Sequence, residues 1–491
     1  MCWKIITTKN NNIKKYGVNV SRETIKKMEE SKLNTYSIVV IGAGIAGSEA
    51  AIICAKMGLK TLIINISMDN PAWLKYSSKL GGVVKTKLLR EIQYLGGFIS
   101  KAIYENKIAE NIEKENKTFL PSYIADKRSF SLFYKFWLEN NEYLDTRQGL
   151  VTTIDECILK EKGKYKITLS DGSIFYTREI IIAAGTFLNA NIFWGENIIS
   201  AGRHGEINSN GLYNNLKIIG YEFQQSEVYI SPGIDKKTID LKKVKKVQSK
   251  MCKEIYLDEY KNFNVTGIRE KYYSYKSKTK IKNLKKKLKL FKKVNSGNNL
   301  NYLNCNRGKL IENIEGKKLK NDEIEINLFH AGRNTMEFYA DGFLSVLSDN
   351  EQQLLLNEFF GLKDSIIIRP GYCIEYYSIK TEQIKNNMES KIHKGIFFAG
   401  EITGVNSYEE ASAQGMAAGL NAALNILENK DLLFNKEDSL IGLVIDKTIN
   451  GNLSSLSYSI FEDKINYKKF SSEDLELRMA SYFERLKSYK F

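Results

Sequence analysis

Residues 37–51 read "SIVVIGAGIAGSEAA": an apolar run, glycines at 42, 44 and 47, then small residues at helical spacing. That order predicts a buried strand, a tight turn and a helix. Gly42 permits the turn, and Gly44 lets the backbone approach a pyrophosphate. Gly47 lets helix and strand pack closely, with the phosphate at the positive helix end. The pattern continues through Ala51 and Gly58 into "LKTLIIN" (59–65), a second strand, so the glycines lie inside a βαβ unit. A dinucleotide-binding domain follows, with Gly42, Ala43, Gly44, Ile45, Ala46 and Gly47 as its expected cofactor contacts. The second strand should end in an acid that grips ribose hydroxyls. Asn65 stands there, and its amide oxygen is able to accept such a bond.

Two later stretches have the same strand-to-turn character. "EIIIAAGTFLNA" (179–190) is an apolar strand entering a glycine turn, as flavin proteins use when the chain returns to the cofactor. "GIFFAGEITGVNSYEEASAQGMAAGLNAA" (395–423) repeats it some 350 residues after the first glycine turn. We read the last stretch as the late-returning half of the first domain, with Gly400 and Glu401 at the flavin. A helix N-terminus beside a flavin favours negative charge on the reduced ring. For "AAGLNAA" the competing reading is close packing of small residues. The fold class expected is α/β: a discontinuous Rossmann-type FAD-binding domain with a parallel sheet, an inserted α+β domain and a short helical tail. The boundaries expected are a basic extension over 1–36, a first FAD-binding part over 37–220, and a lysine-rich insertion over 221–345. The FAD-binding domain is completed over 346–430, and a helical region covers 431–491.

Between these stretches, residues 85–107 have helical period broken at Gly96 and Gly97, and "RSFSLFYKFWLENN" (128–141) has apolar residues at helical spacing. The segment 144–185 alternates as strands around turns at "KGKY" and "SDGS". After about 320, "EIEINLF" predicts a strand, "NEQQLLLNEFFGL" a helix and "SIIIRPGYCIEY" a strand. The tail predicts an amphipathic helix at "SSEDLELRMASYFERLKSYK".

Composition narrows the function. With 491 residues, 43% hydrophobic, the chain is long enough for two or three domains. No run of about 18 uncharged apolar residues occurs, so no membrane span is expected. The first 36 residues lack a signal peptide's apolar core, and "KKMEESK" is unlike a transit peptide. Six cysteines without CxxC spacing point away from a disulfide framework or structural zinc and toward a cytoplasmic setting. Three well-separated histidines predict no metal centre. The net charge of +16 suits a polyanion such as RNA, although the abundance of lysine, asparagine and isoleucine is also what AT-rich coding drift produces. The segments "LKKVKKVQSK" and "KNLKKKLKLFKKVNSGNN" are either a solvated excursion or a nucleic-acid surface.

"IGAGIAGSEAA", "REIQYLGGFISKA", "AAGTFLNA", "SAGRHGE", "KKTID", "IIIRPGYCIEYY" and the stretch from Gly395 resemble, in order, the motifs of the MnmG (GidA) family. The resemblance runs from about 37 to 478, with a poor stretch between 241 and 320. It implies an FAD-dependent tRNA uridine 5-carboxymethylaminomethyl modification enzyme. Such an enzyme is a homodimer that takes electrons from NADH and acts with the GTPase MnmE. It transfers a one-carbon unit from methylenetetrahydrofolate to carbon 5 of the wobble uridine, joined by glycine or ammonia. By motif, Leu150, Ser200 and Glu401 fall at the family's other FAD contacts, and Arg203 is a candidate for an anionic substrate contact or an ordinary ion pair. Glu401 replaces the family's usual glutamine, and a carboxylate there would oppose flavin reduction unless protonated.

The departures concern chemistry. Where the family has "SCNPxIGG" this chain has "KYSSKLGGVVK", and Ser77 or Ser78 supplies no thiolate. Ile311 stands at the second family cysteine, leaving Cys305, six residues upstream, as the remaining catalytic candidate. Gly233 replaces a family arginine. The family continues into a helical domain that docks MnmE, whereas this sequence stops soon after Arg478, which puts that partner in doubt. Two alternatives therefore stand beside the MnmG reading. One is a folate- and FAD-dependent RNA uracil methyltransferase of TrmFO type. The other is a flavin-binding, RNA-associated subunit that has lost catalysis.

Overall fold

A computed structural model describes residues 34–75, 77–82, 85–115, 118–157, 163–247, 272–294 and 322–450, together with positions 479, 480, 482, 484 and 486. The N-terminal extension up to residue 33, Lys162 of the "KGKY" turn, Cys305, Ile311 and most of the tail helix lie outside the described residues, and the last residues of the expected extension already belong to the first strand.

The seven-stranded sheet at the centre is built from β1 (Thr35–Ile41), β2 (Thr61–Asn65), β3 (Leu144–Gln148), β4 (Val151–Glu156), β5 (Tyr165–Leu169), β6 (Ile174–Ile182) and β7 (Ile396–Phe398). Five of these strands run parallel in the order β3-β2-β1-β6-β7. Their near-continuous apolar runs reflect burial on both faces, as parallel strands require. The long strand β6 serves two partners on the edge away from β1. Its first half pairs antiparallel with β5, and Ile180–Ile182 pair with β7. The chain thus re-enters the sheet at Ile396 after leaving it at Ile182, as the late-return reading requires.

Helix α1 (Ile45–Lys56) is buried along almost all of its length, between the sheet and α2 (Tyr408–Glu428). The two helices approach through small residues. A Cβ on Gly415 would lie 2.1 Å from the Ala46 carbonyl oxygen, and one on Gly419 would lie 2.8 Å from that of Ala50. The small-residue helix therefore does the packing that its composition suggested. Ser407 caps α2, accepting the Glu410 N–H at 3.2 Å.

The rest of the chain forms smaller sheets. Asn197–Ser200, Asn191–Trp194, Tyr372–Ile379 and Phe223–Ile230 make a four-stranded antiparallel sheet. A six-stranded antiparallel sheet runs in the order Lys245–Lys246, Tyr275–Lys280, Glu323–His330, Glu337–Asp341, Gly233–Asp235 and Ile367–Arg369. The stretch read as one strand over "SIIIRPGYCIEY" is two. Pro370 lacks a ladder donor, and the chain crosses at Pro370–Gly371 from the six-stranded to the four-stranded sheet. The lysine-rich region contains order within its described part: strand Tyr275–Lys280 and helix Ile281–Val294, whose Ile281, Leu284 and Leu288 are buried. The hairpin Lys107–Glu115 with Thr118–Ala125 was not anticipated from pattern. Helix Leu440–Asn450 completes the core against α2 and Lys85–Tyr94, where the Glu91 carboxylate accepts the Leu440 N–H at 2.7 Å. Among the described residues no helix is long and apolar enough to cross a membrane.

Candidate functional site

All five parallel strands end on one cavity of about 1090 Å³, counting its open mouth. The carboxyl ends supply Ile41–Gly42, Ile64–Asn65, Gly149–Leu150, Ala183–Gly185 and Ala399–Glu401 in turn. Ligands of open α/β sheets bind at this edge. Gly42 has φ +99, and a Cβ there would strike the Ala183 carbonyl at 2.3 Å, so the turn admits only glycine. A Cβ on Gly44 would meet nothing within 4 Å, which leaves the backbone open to a ligand. The first N–H groups of α1 have no partner within the helix and point to this end. The residues present fit a dinucleotide phosphate.

The expected contacts separate into three groups. Gly42, Ala43, Gly44, Ile45, Ala46, Leu150, Gly400 and Glu401 line the cavity. Gly47 instead packs against the Gly42 carbonyl, where a Cβ would sit at 1.8 Å; it closes the helix onto the turn. Ser200 is not brought to the cavity. It is exposed on its hairpin, accepting from Asn208 Nδ2 at 2.7 Å. Arg203, three residues on, does line the cavity, where it forms an ion pair with Glu206 at 2.5 Å.

Asn65 has a task its position did not reveal. Its Oδ1 accepts the Ala43 N–H at 3.0 Å and its Nδ2 donates to the Ser67 carbonyl at 2.6 Å. The amide thus holds the glycine turn from within.

Glu401 is not a bare carboxylate. Lys75 lies 2.5 Å from its Oε2, and Lys75 Nζ also reaches Thr186 Oγ1 at 3.3 Å. Both side chains are largely buried. Burial pushes the Glu401 carboxyl up, partly offset by Lys75, and pushes the Lys75 ammonium down, partly offset by Glu401. The sequence offered no sign of this partner, 326 residues away.

A second polar group stands behind the cavity wall. Lys127 opens helix Lys127–Glu139 and is 2% exposed. Its Nζ has no hydrogen-bond partner and lies 4.0 Å from the Tyr339 ring centre and 5.3 Å from that of Trp73, a cavity residue. Burial holds this ammonium well below its ordinary range; Glu337 offsets part of that, while Arg203 and Arg369 act with burial. Sequence reading missed it because only burial distinguishes it from the chain's many other lysines.

The thiol chemistry is displaced. Ser78 donates to the His330 carbonyl at 2.5 Å and Ser77 Oγ accepts the Lys79 N–H; both serines are buried structural links. Cys54 and Cys373 are buried, burial raising the Cys54 thiol strongly, and no described cysteine lines the cavity. Gly233 leaves space that Glu337 fills: a Cβ would lie 2.3 Å from its Oε1, which also meets Arg369 Nε at 3.2 Å. Among the described residues no cluster of three or more His, Cys, Asp or Glu is arranged to hold a metal.

Known proteins share this arrangement. A family model described as "Glucose inhibited division protein A" matches residues 37–430. The tRNA uridine 5-carboxymethylaminomethyl modification enzyme MnmG of Flavobacterium johnsoniae is 30% identical over 450 residues, covering 90% of this chain and 70% of the relative. The enzyme of the same name from Thermodesulfovibrio yellowstonii is 31% identical over 464 residues, covering 92% and 72%. The structure of Aquifex aeolicus GidA superposes with a TM-score of 0.81 at 27% identity, over 92% of this chain and 74% of that one.

Proposed function

The chain belongs to the glucose inhibited division protein A (GidA, MnmG) family of tRNA uridine modification enzymes, and from that premise we propose that it binds FAD and modifies carbon 5 of a tRNA wobble uridine. The group added is carboxymethylaminomethyl, the activity is shared with an MnmE-type GTPase, and the working unit is a cytoplasmic homodimer. NADH is the reductant and methylenetetrahydrofolate the one-carbon donor. The observation that carries this reading is the convergence of five parallel strand ends on one cavity with a glycine-only turn at its edge.

Gly42 to Ala46 would hold the pyrophosphate by backbone amides and the end of α1. Leu150 and Glu401 would make further contacts. When bound, the flavin supplies two-electron redox chemistry. Lys75 neutralises Glu401, so the carboxylate does not by itself oppose that chemistry. A second reading, a flavin-binding RNA-associated subunit without catalysis, is favoured by the lack of any described cysteine at the cavity.

Two measurements test this. The purified protein shows a flavin absorption spectrum, or gains one on loading with FAD; a colourless protein that cannot be loaded ends both readings. In tRNA from cells lacking the gene, loss of the carboxymethylaminomethyl nucleoside supports the enzyme. An unchanged nucleoside profile supports the subunit, and loss of 5-methyluridine would instead indicate methyltransferase activity.

A further inference from the structure

Lys127 is a buried ammonium whose own charge is unanswered by a hydrogen bond. The other cations around the cavity are committed: Lys75 to Glu401, Arg203 to Glu206 and Arg369 to Glu337. Lys127 has no such contact: its Nζ meets the faces of Tyr339 and Trp73, and the charge of Glu337 offsets part of the cost of burial without a hydrogen bond. Burying an ammonium without a hydrogen bond is costly, and an anionic ligand would relieve that cost. Its backbone, by contrast, is firmly held. Asp126 accepts the Ser129 N–H at 2.9 Å and the Arg333 N–H at 2.6 Å, and the Lys127 N–H donates to the Ala331 carbonyl at 3.1 Å. The helix start is thus fixed, and it holds Nζ against the rings of Tyr339 and Trp73, the latter a wall of the cavity.

The chemistry of the ligand follows from the modification named for the relatives. A carboxymethylaminomethyl group contains an amine nitrogen bearing a carboxymethyl arm, and the free amine of that structure is glycine. Resting on the reading of the previous section, we propose that Lys127 is the counter-ion for the glycine carboxylate, received at the Trp73 wall of the cavity with Arg203 beside it. The ion pair restores the charged form that burial alone suppresses. It also sets specificity. Ammonia has no carboxylate, so Lys127 favours the amino acid over ammonia, and a site lacking its cation loses that preference.

The test uses the FAD-loaded full-length protein in equilibrium dialysis against labelled glycine or methylamine. Wild type retains glycine and not methylamine. Lys127→Met weakens glycine binding by about ten-fold or more, the scale of a lost charged hydrogen bond, and Lys127→Arg keeps most of it. Wild type that retains no glycine, or Lys127→Met that retains it equally, overturns the proposal. The Lys127→Arg protein and the flavin spectrum separate a binding defect from misfolding. A second readout is tRNA from cells carrying this chain as their sole source of the activity. Lys127→Met shifts the nucleosides from carboxymethylaminomethyl toward aminomethyl uridine by a similar factor, and an unchanged ratio overturns the assignment. If wild type forms neither nucleoside, the tRNA reading fails, while the dialysis still decides whether Lys127 holds glycine.

Discussion

The pair Lys75–Glu401 converts an apparent liability into a neutral wall. A glutamate facing a flavin cavity would oppose added electrons, but an ammonium 2.5 Å away cancels its field. Lys75→Met removes that cancellation. Glu401, already raised by burial, then takes up a proton at low pH and becomes a bare carboxylate at high pH. The bound flavin's reduction potential should therefore fall above the Glu401 pKa, by roughly 30 mV or about 1.4 kcal/mol, and recover below it. Potentiometric titration at several pH values measures this as the difference from wild type, since flavin reduction itself takes up protons, and Lys75→Met/Glu401→Gln should remove the pH dependence of that difference. A difference between Lys75→Met and wild type that stays at zero across pH would show that the pair does not face the ring.

Glu49 gives a second residue-scale test, of stability. It is fully buried on α1, accepting the Tyr134 hydroxyl at 2.6 Å and the Phe98 N–H at 2.8 Å. Burial pushes its pKa up to about 7 from an ordinary 4.5, against those hydrogen bonds. The folded state therefore holds a proton that the unfolded state releases, and stability from this group is greatest below pH 4.5. It is lost as pH rises toward about 7, where the loss levels off at about 3 kcal/mol. Denaturant melts from pH 4.5 to 8 should show that slope in wild type and a shallower one in Glu49→Gln, the remainder coming from groups such as Glu179, which burial likewise raises to about 7. A slope of the opposite sign would mean that Glu49 is ionised throughout.

At the scale of elements, the contact between α1 and α2 is what holds the late return in place. Gly415 and Gly419 admit the α1 backbone so closely that any Cβ must displace it. Gly415→Val should destabilise by about 1–3 kcal/mol or more through overpacking, and should reduce flavin retention, because α1 carries the glycine turn. A Val variant with unchanged melting and flavin content would show that the helices separate freely. This element was legible early, because glycine-rich strand-to-helix turns and small-residue helices carry their geometry in local spacing. Helix 281–294 was legible in principle too: Ile281, Leu284 and Leu288 form a stripe among the lysines. The break at Pro370 was visible as a residue but not as a change of sheet, since pairing partners lie far away in sequence. Lys75, Lys127 and Asn65 were illegible for the same reason. Their meaning comes from burial and from neighbours that only the fold assembles.

Over the whole molecule, the charge of +16 and the family reading point to tRNA, and the lysine-bearing helix is a place where the two can be tested together. Its apolar stripe is buried, so Lys282, Lys285, Lys286 and Lys289 are exposed without being needed for packing. Drift in composition would scatter such lysines without regard to RNA, whereas a binding face would make them phosphate contacts. The two accounts differ in salt dependence, because each phosphate neutralised releases counterions. Replacing the four lysines by glutamate should leave the melting temperature nearly unchanged, since Leu284 and Leu288 remain. On a binding face it should weaken tRNA affinity and flatten the plot of log affinity against log salt, by up to about 3 in slope. Filter binding across a salt series supplies both numbers. An unchanged slope with unchanged folding would assign these lysines to composition alone and move the RNA surface elsewhere on the molecule. A flattened slope would place the tRNA against the six-stranded sheet that carries this helix.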